Sequence, residues 1–114
     1  REGFEGARTN ALLNKIDNAE FFLGDAVSIF SELGQENEPC ALIIDPPRKG
    51  CDPDFIDQTL AFRPQRIVYV ACDPATQARD AKLLLNGGYR ISQIQPFDLF
   101  PQTRHIENVL TMEI

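Results

Sequence analysis

Arg66-Ile67-Val68-Tyr69-Val70-Ala71-Cys72-Asp73-Pro74 is the stretch that decides the fold. Its first six residues are an apolar, β-branched run that reads as a buried strand. Residues 75–86 read as a helix, with Asp73 suited to the N-cap and Pro74 to the first helical position. Cys72 therefore stands where a strand ends and a helix begins. The positive end of the helix dipole favours an anion there, and a thiolate is an anion. A buried structural cysteine suits the same place, since free Cys is among the most buried residue types. Taken alone, the stretch favours the structural cysteine. The rest of the chain reverses that balance.

Immediately upstream, residues 40–44 form a continuous apolar run between Pro39 and Asp45-Pro46-Pro47. They read as a strand buried on both faces, as in a parallel sheet, with Cys40 structural. The loop Asp45-Pro46-Pro47-Arg48-Lys49-Gly50 follows, and Cys51 beside it reads as a second exposed thiol. Asp52 caps the next helix, Pro53 opens it, and Phe55, Ile56 and Leu60 form its core face. Downstream, the helix after Cys72 buries Ala78, Ala81, Leu84 and Leu85, and Gly87-Gly88 stops it. Residues 89–95 alternate as a strand, 96–105 form a loop rich in aromatics, and 107–114 form a final strand. Toward the N-terminus, Phe4, Ala7, Ala11 and Leu12 recur at helical spacing, which predicts a helix over 2–15. A short strand at 19–23, closed by Gly24-Asp25, and a helix at 26–33 complete the pattern.

Strands alternating with helices predict an α/β fold with a mostly parallel sheet. The last two strands lack an intervening helix, so the last is expected to be antiparallel. In such sheets ligands sit outside the carboxyl ends of the strands. Asp25, Asp45 and Cys72 all fall at such ends.

Composition narrows the class. The 114 residues form one domain at most. Apolar content of 43% is enough for a core, and 25% charged residues argue against global disorder. A net charge of −6 argues against this segment being the main electrostatic grip on a nucleic acid. Three cysteines without a CxxC pair, and one histidine, make a zinc site or a disulfide framework a poor fit. The pattern predicts a reduced, cytoplasmic protein without a membrane span or signal peptide.

Three segments then carry a family resemblance. They are Asp45-Pro46-Pro47-Arg48-Lys49-Gly50, the run from Tyr69 through Cys72-Asp73-Pro74 to Asp80, and Phe97-Asp98-Leu99-Phe100-Pro101-Gln102-Thr103-Arg104-His105-Ile106-Glu107. Together they resemble the three C-terminal motifs of the RNA 5-methyluridine methyltransferases, in the family's order and near its spacing. Those enzymes act on tRNA or rRNA with S-adenosylmethionine. The resemblance implies Cys72 as nucleophile and Glu107 as general base. It implies Asp45 and Asp25 as cofactor-binding acidic residues. Arg48, Arg79, Phe100 and His105 match positions that order the site or touch RNA. It implies a Rossmann-like methyltransferase sheet truncated at its N-terminal side. The Gly-rich loop and the first two strands are absent, and residues 1–114 form the C-terminal part of a catalytic domain. The gap in the sheet predicts edge-strand pairing with a second copy. Alone, such a segment is expected to bind cofactor weakly and not to turn over. One motif departs from the family: Ser-Cys-Asn-Pro is replaced by Ala71-Cys72-Asp73-Pro74, and an ionised Asp73 would oppose a neighbouring thiolate.

The implied chemistry needs these groups. Carbon 5 of uracil is a poor nucleophile until a thiolate adds at carbon 6 and generates an enolate. A carboxylate must then remove the carbon-5 proton. The target base must be unstacked and flipped into the site. Plainer readings stand beside each assignment. Asp45 before two prolines suits a turn, Phe97 and Phe100 suit a core as well as a stacking platform, and Glu107 suits a solvated strand start. Two rival functions also remain: a non-catalytic Rossmann-like module for RNA or protein contact, and a cysteine-dependent hydrolase in which His105 pairs with Cys72. An Asp-Pro-Pro-Tyr amino-methyltransferase is disfavoured by Arg48 in place of the aromatic residue.

Overall fold

In a computed structural model of the chain, residues 2–15, 17–19, 30, 39–97 and 107–114 are described. Two units divide the chain, Arg1–Gly34 and Gln35–Ile114. In the first, α1 spans Glu2–Leu13 and ends where Lys15 turns into the left-handed region at φ 57°. Ala11 is buried, whereas Leu12, expected on the core face, is exposed. The expected strand at 19–23 lies almost wholly outside the described residues. So does the helix at 26–33, whose one described residue, Phe30, is helical.

The second unit carries the sheet. Its elements are β1 (Ala41–Ile44), α2 (Pro53–Phe62), β2 (Arg66–Ala71), α3 (Pro74–Asn86), β3 (Arg90–Phe97) and β4 (Glu107–Glu113). Proline opens both helices and an aspartate caps each: the Asp52 side chain accepts the Asp54 N–H, and Asp73 accepts those of Ala75 and Thr76. The strand order is β1-β2-β4-β3. β1 and β2 are parallel, with Ala41 opposite Arg66 and Ile44 opposite Tyr69. β4 runs antiparallel to β2 from Arg66↔Glu113 to Ala71↔Asn108, and antiparallel to β3 up to Phe97↔Glu107. The last strand is thus the reversed one, inserted between β2 and β3. This is the mixed α/β arrangement that the alternation of elements predicts. The carboxyl ends of β1, β2 and β3 and the start of β4 share one edge.

Strand alternation sorts the core. Ile67, Tyr69 and Ala71 of β2 and Leu110 and Met112 of β4 are buried on one face. Phe55 and Ile56 of α2 and Ala81 and Leu84 of α3 complete the core.

Three expectations need correction. β1 is not buried on both faces: it is an edge of the described sheet, Ile43 is 72% exposed and Cys40 is exposed. The third strand runs on through Pro96 and Phe97, which sequence reading assigned to the loop. β3 is an edge of the described sheet, where proline's missing N–H is tolerated. The inner face of α3 is Gln77, Asp80, Ala81 and Leu84, while Ala78 and Leu85 are exposed. Two polar side chains occupy that face because the sheet and the preceding loop offer them hydrogen-bond partners.

Candidate active site at the carboxyl edge of the sheet

Cys72 sits between the last residue of β2 and the cap of α3, half-buried and with a free thiol. Asp73 holds extended backbone angles (φ −119°, ψ 105°), and its Oδ1 accepts the N–H groups of Ala75 at 3.0 Å and Thr76 at 3.4 Å. The strand-to-helix junction read from sequence is therefore present. Glu107 is the first residue of β4 and is half-buried. The final β2–β4 pair is Ala71↔Asn108, so Cys72 and Glu107 are the next residues of their chains beyond that pair. Opposed residues of an antiparallel pair lie about 4.5–5.5 Å apart between Cα atoms. Val70 opposes Val109, so Cys72 and Glu107 each stand two residues beyond one register pair. On its other side Glu107 opposes Phe97, which is exposed.

Asp45 follows Ile44 at the carboxyl end of β1 and is exposed. The loop after it is tied to α3 along its length. Thr76 Oγ1 lies 3.0 Å from the Arg48 carbonyl and 3.2 Å from the Asp73 carbonyl, so its one proton is shared between loop and cap. Arg79 Nη2 donates to the Lys49 carbonyl at 2.8 Å. Asp80, 1% exposed, accepts the Cys51 N–H at 2.8 Å and the Tyr69 hydroxyl at 2.6 Å on Oδ2, and faces Arg79 with Oδ1. Gly50 makes this approach workable. Its φ is +88°, and a Cβ there would come within 2.5 Å of Arg79 Nη2 and 2.7 Å of Asp80 Oδ2.

Burial pushes the Cys51 thiol up to about 11, with the Asp80 carboxylate adding to the effect. Tyr69 is raised as well, by burial first and then by its bond to Asp80. Cys51 is therefore a buried, protonated thiol and not the exposed one expected. Arg79 is engaged in ordering the loop, whereas Arg48 projects as an exposed residue.

The structure thus gathers Asp45, Arg48, Cys72, Arg79 and Glu107 at or behind one sheet edge. Asp25, Phe100 and His105 lie outside the described residues. Sequence reading included Tyr69, Thr76, Gln77 and Asp80 in the second motif but gave them no role. The spacing of 77, 80, 81 and 84 is that of one helix face, so admitting polar residues to that face would have found two of them. Among the described residues, no group of His, Cys, Asp and Glu side chains could hold a metal ion, and no helix is long and apolar enough to cross a membrane.

A half-buried cysteine at a strand-to-helix junction and a glutamate opening the neighbouring strand mark the carboxyl edge of a Rossmann-like α/β sheet, and that sheet defines the class. Comparison with known proteins gives the class a family. Residues 33–113 match the model of the tRNA (Uracil-5-)-methyltransferase family, and the chain belongs to that family. It is 42% identical over 114 residues to an uncharacterized RNA methyltransferase of Oceanobacillus iheyensis, covering 99% of this chain and 25% of that protein. It is 46% identical over 110 residues to the tRNA (uracil(54)-C(5))-methyltransferase of Schizosaccharomyces pombe, covering 93% of this chain and 21% of that protein. The crystal structure of the Pyrococcus abyssi tRNA (uracil-54, C5)-methyltransferase in complex with S-adenosyl-L-homocysteine superposes with a TM-score of 0.80 at 37% identity. That match covers 96% of this chain and 26% of the other. The chain therefore spans about a quarter of the length of the relatives it matches.

Proposed function

We propose that this chain is the C-terminal part of the catalytic domain of an S-adenosylmethionine-dependent methyltransferase acting on carbon 5 of a uridine in tRNA. Membership of the family supports the reaction class, and the named activities of the fission yeast and archaeal relatives support the RNA substrate. The observation that carries the assignment of residues is the β2–β4 register, which brings the end of β2 and the start of β4 together at Cys72 and Glu107.

Cys72 is the nucleophile. Its thiolate forms a bond to carbon 6 of the uracil ring, and the electron pair of the carbon 5–carbon 6 double bond moves to give the enolate. When bound, S-adenosylmethionine supplies the electrophilic methyl group that carbon 5 accepts. Glu107 then takes the proton from carbon 5. The double bond re-forms and the Cys72 thiolate leaves, so the Glu107 proton is the one released to solvent. Asp45, an exposed carboxylate at the carboxyl end of β1, suits the cationic amino group of the cofactor; Asp25 keeps a cofactor-binding role by family resemblance alone. The Asp80–Arg79–Thr76 ties keep the Asp45–Cys51 loop in one conformation and aim Arg48 outward toward the RNA backbone. The 114 residues contain no Gly-rich loop, whose backbone and helix N-terminus form much of such a cofactor site. Weak cofactor binding and no turnover are therefore expected of this segment alone.

The test is covalent capture in the full-length enzyme. Mixed with tRNA carrying 5-fluorouridine and with S-adenosylmethionine, the enzyme should form a denaturation-resistant protein–RNA adduct, because fluorine cannot leave as a proton does. Cys72→Ser should form none. Glu107→Gln should trap an adduct even on ordinary uridine tRNA, with turnover down by about 10²–10⁴-fold. Adduct formation by Cys72→Ser would overturn the assignment.

A further inference from the structure

Gln77 is 2% exposed and lies on the inner face of α3, where its amide joins three elements at once. Its Nε2 donates to the Tyr69 carbonyl in β2 at 3.0 Å and to the Asn108 carbonyl in β4 at 3.0 Å. Its Oε1 accepts from the Asn108 side-chain amide at 2.6 Å. Both donors and the acceptor of this buried amide are used, which is what a buried polar side chain requires. Asn108 is placed to need the partner. Its register neighbours are Ala71 on one side and Pro96 on the other, and proline has no N–H to offer.

The connection links the backbone positions that carry the two side chains proposed to react. Cys72 is bonded to Asp73, whose carbonyl accepts the Gln77 backbone N–H at 3.1 Å. The Gln77 side chain grips Asn108, and Asn108 is bonded to Glu107. From this geometry we infer that Gln77 is a positioning residue: with Asn108 it sets where Glu107 stands relative to Cys72, and so controls proton removal from carbon 5. The inference rests on the proposed roles of Cys72 and Glu107. It extends them by assigning the device that holds the base at its working distance. Gln77 does not itself touch the uracil.

The consequence is specific to one step. A misplacement of about 1 Å in a reacting group costs on the order of 10²-fold in rate. Loosening Glu107 alone leaves thiolate addition and methyl acceptance intact and slows only the step that releases the adduct.

The test uses the full-length methyltransferase with ordinary tRNA. Gln77→Met keeps much of the side-chain volume and removes all three hydrogen bonds. It should lower kcat by roughly 10–100-fold with KM for tRNA and for S-adenosylmethionine unchanged, and should raise the fraction of enzyme held as covalent adduct during turnover. Asn108→Ala should do the same. In the Gln77→Met background it should add little further loss, because both changes break one connection. Backbone amides at 107–109 should exchange faster with solvent in both variants while the remainder of β4 is unchanged. Unchanged kcat, or activity, adduct level and melting temperature all falling together, would overturn the inference, the latter because it marks a merely structural side chain. Cys72→Ser and Glu107→Gln serve as controls. If they retain turnover, the reaction assignment itself fails; if they lose it while Gln77→Met does not, only the positioning role fails.

Discussion

Asp80→Ala gives the sharpest check on how the site is held together. Three donors converge on this carboxylate: the Cys51 N–H, the Tyr69 hydroxyl and the Arg79 guanidinium. Alanine would leave the first two without their partner in a buried setting. An unsatisfied buried donor costs about 1–3 kcal/mol, so the pair together costs roughly 2–6 kcal/mol. Arg79 is more than half exposed and can turn to water, so its pairing adds little. A net loss of about 2–6 kcal/mol is therefore expected, a large share of the roughly 5–15 kcal/mol available to a domain. Urea denaturation followed by far-UV circular dichroism reads it. Tyr69→Phe should cost only about 1–2 kcal/mol, because Asp80 keeps two donors. The double variant should fall short of additivity by about 1 kcal/mol. A loss below about 1 kcal/mol for Asp80→Ala, or strict additivity with Tyr69→Phe, would refute the argument that this buried carboxylate braces the loop.

Gly50→Ala places a Cβ against Arg79 and Asp80 at a left-handed backbone position. A cost of at least about 2 kcal/mol is expected, and a neutral result in the same denaturation assay would show that the loop is not pinned there. Stability should also depend on pH at the alkaline end. The folded state holds the Cys51 proton up to about 11, against 9.0 for the free group, and also raises Tyr69. The unfolded chain loses these protons first, so the contribution is complete below pH about 9 and is lost progressively toward about 11. A drop on the order of 1–2 kcal/mol is expected across that window, reduced in Cys51→Ala; a flat urea midpoint to pH 10.5 (roughly half a unit below the folded value) would contradict it. Asp73→Ala should cost about 1 kcal/mol through the lost cap of α3, whereas Asp73→Asn should cost almost nothing, as thermal melting would show.

Much of the site was readable because its signals are local. Asp52-Pro53 and Asp73-Pro74 announce helix starts through interactions that reach two or three residues along the chain, and the structure contains both caps. The apolar run before Cys72 is short, β-branched and bounded, and it forms the strand expected of it. The readings of Cys40 and Cys51 failed for the opposite reason. An apolar run says that a strand is wanted but not how many neighbours it will have, and β1 lies at an edge of the described sheet with Cys40 exposed just before it. A cysteine after a glycine reads as an exposed loop residue until α3 and its Asp80 bury it. Gln77 and Asp80 stood in the second motif without a role because a polar side chain counts as outward until a buried partner is known.

By itself, then, the sequence determined the alternation of strands and helices, the caps and the junction at Cys72, together with the three motifs that mark the family. Each of these depends on chemistry within a few residues or on segments conspicuous in their own right. What only the tertiary structure decided is where β4 enters the sheet. Its insertion, reversed, between β2 and β3 pairs Ala71 with Asn108 and so brings the start of β4 at Glu107 to the end of β2, which Cys72 follows. That register is set by the burial of Leu110 and Met112 against Tyr69 and Ile67, and by the Gln77 amide bridging three elements. Those interactions join residues far apart in the chain, and no local pattern encodes them.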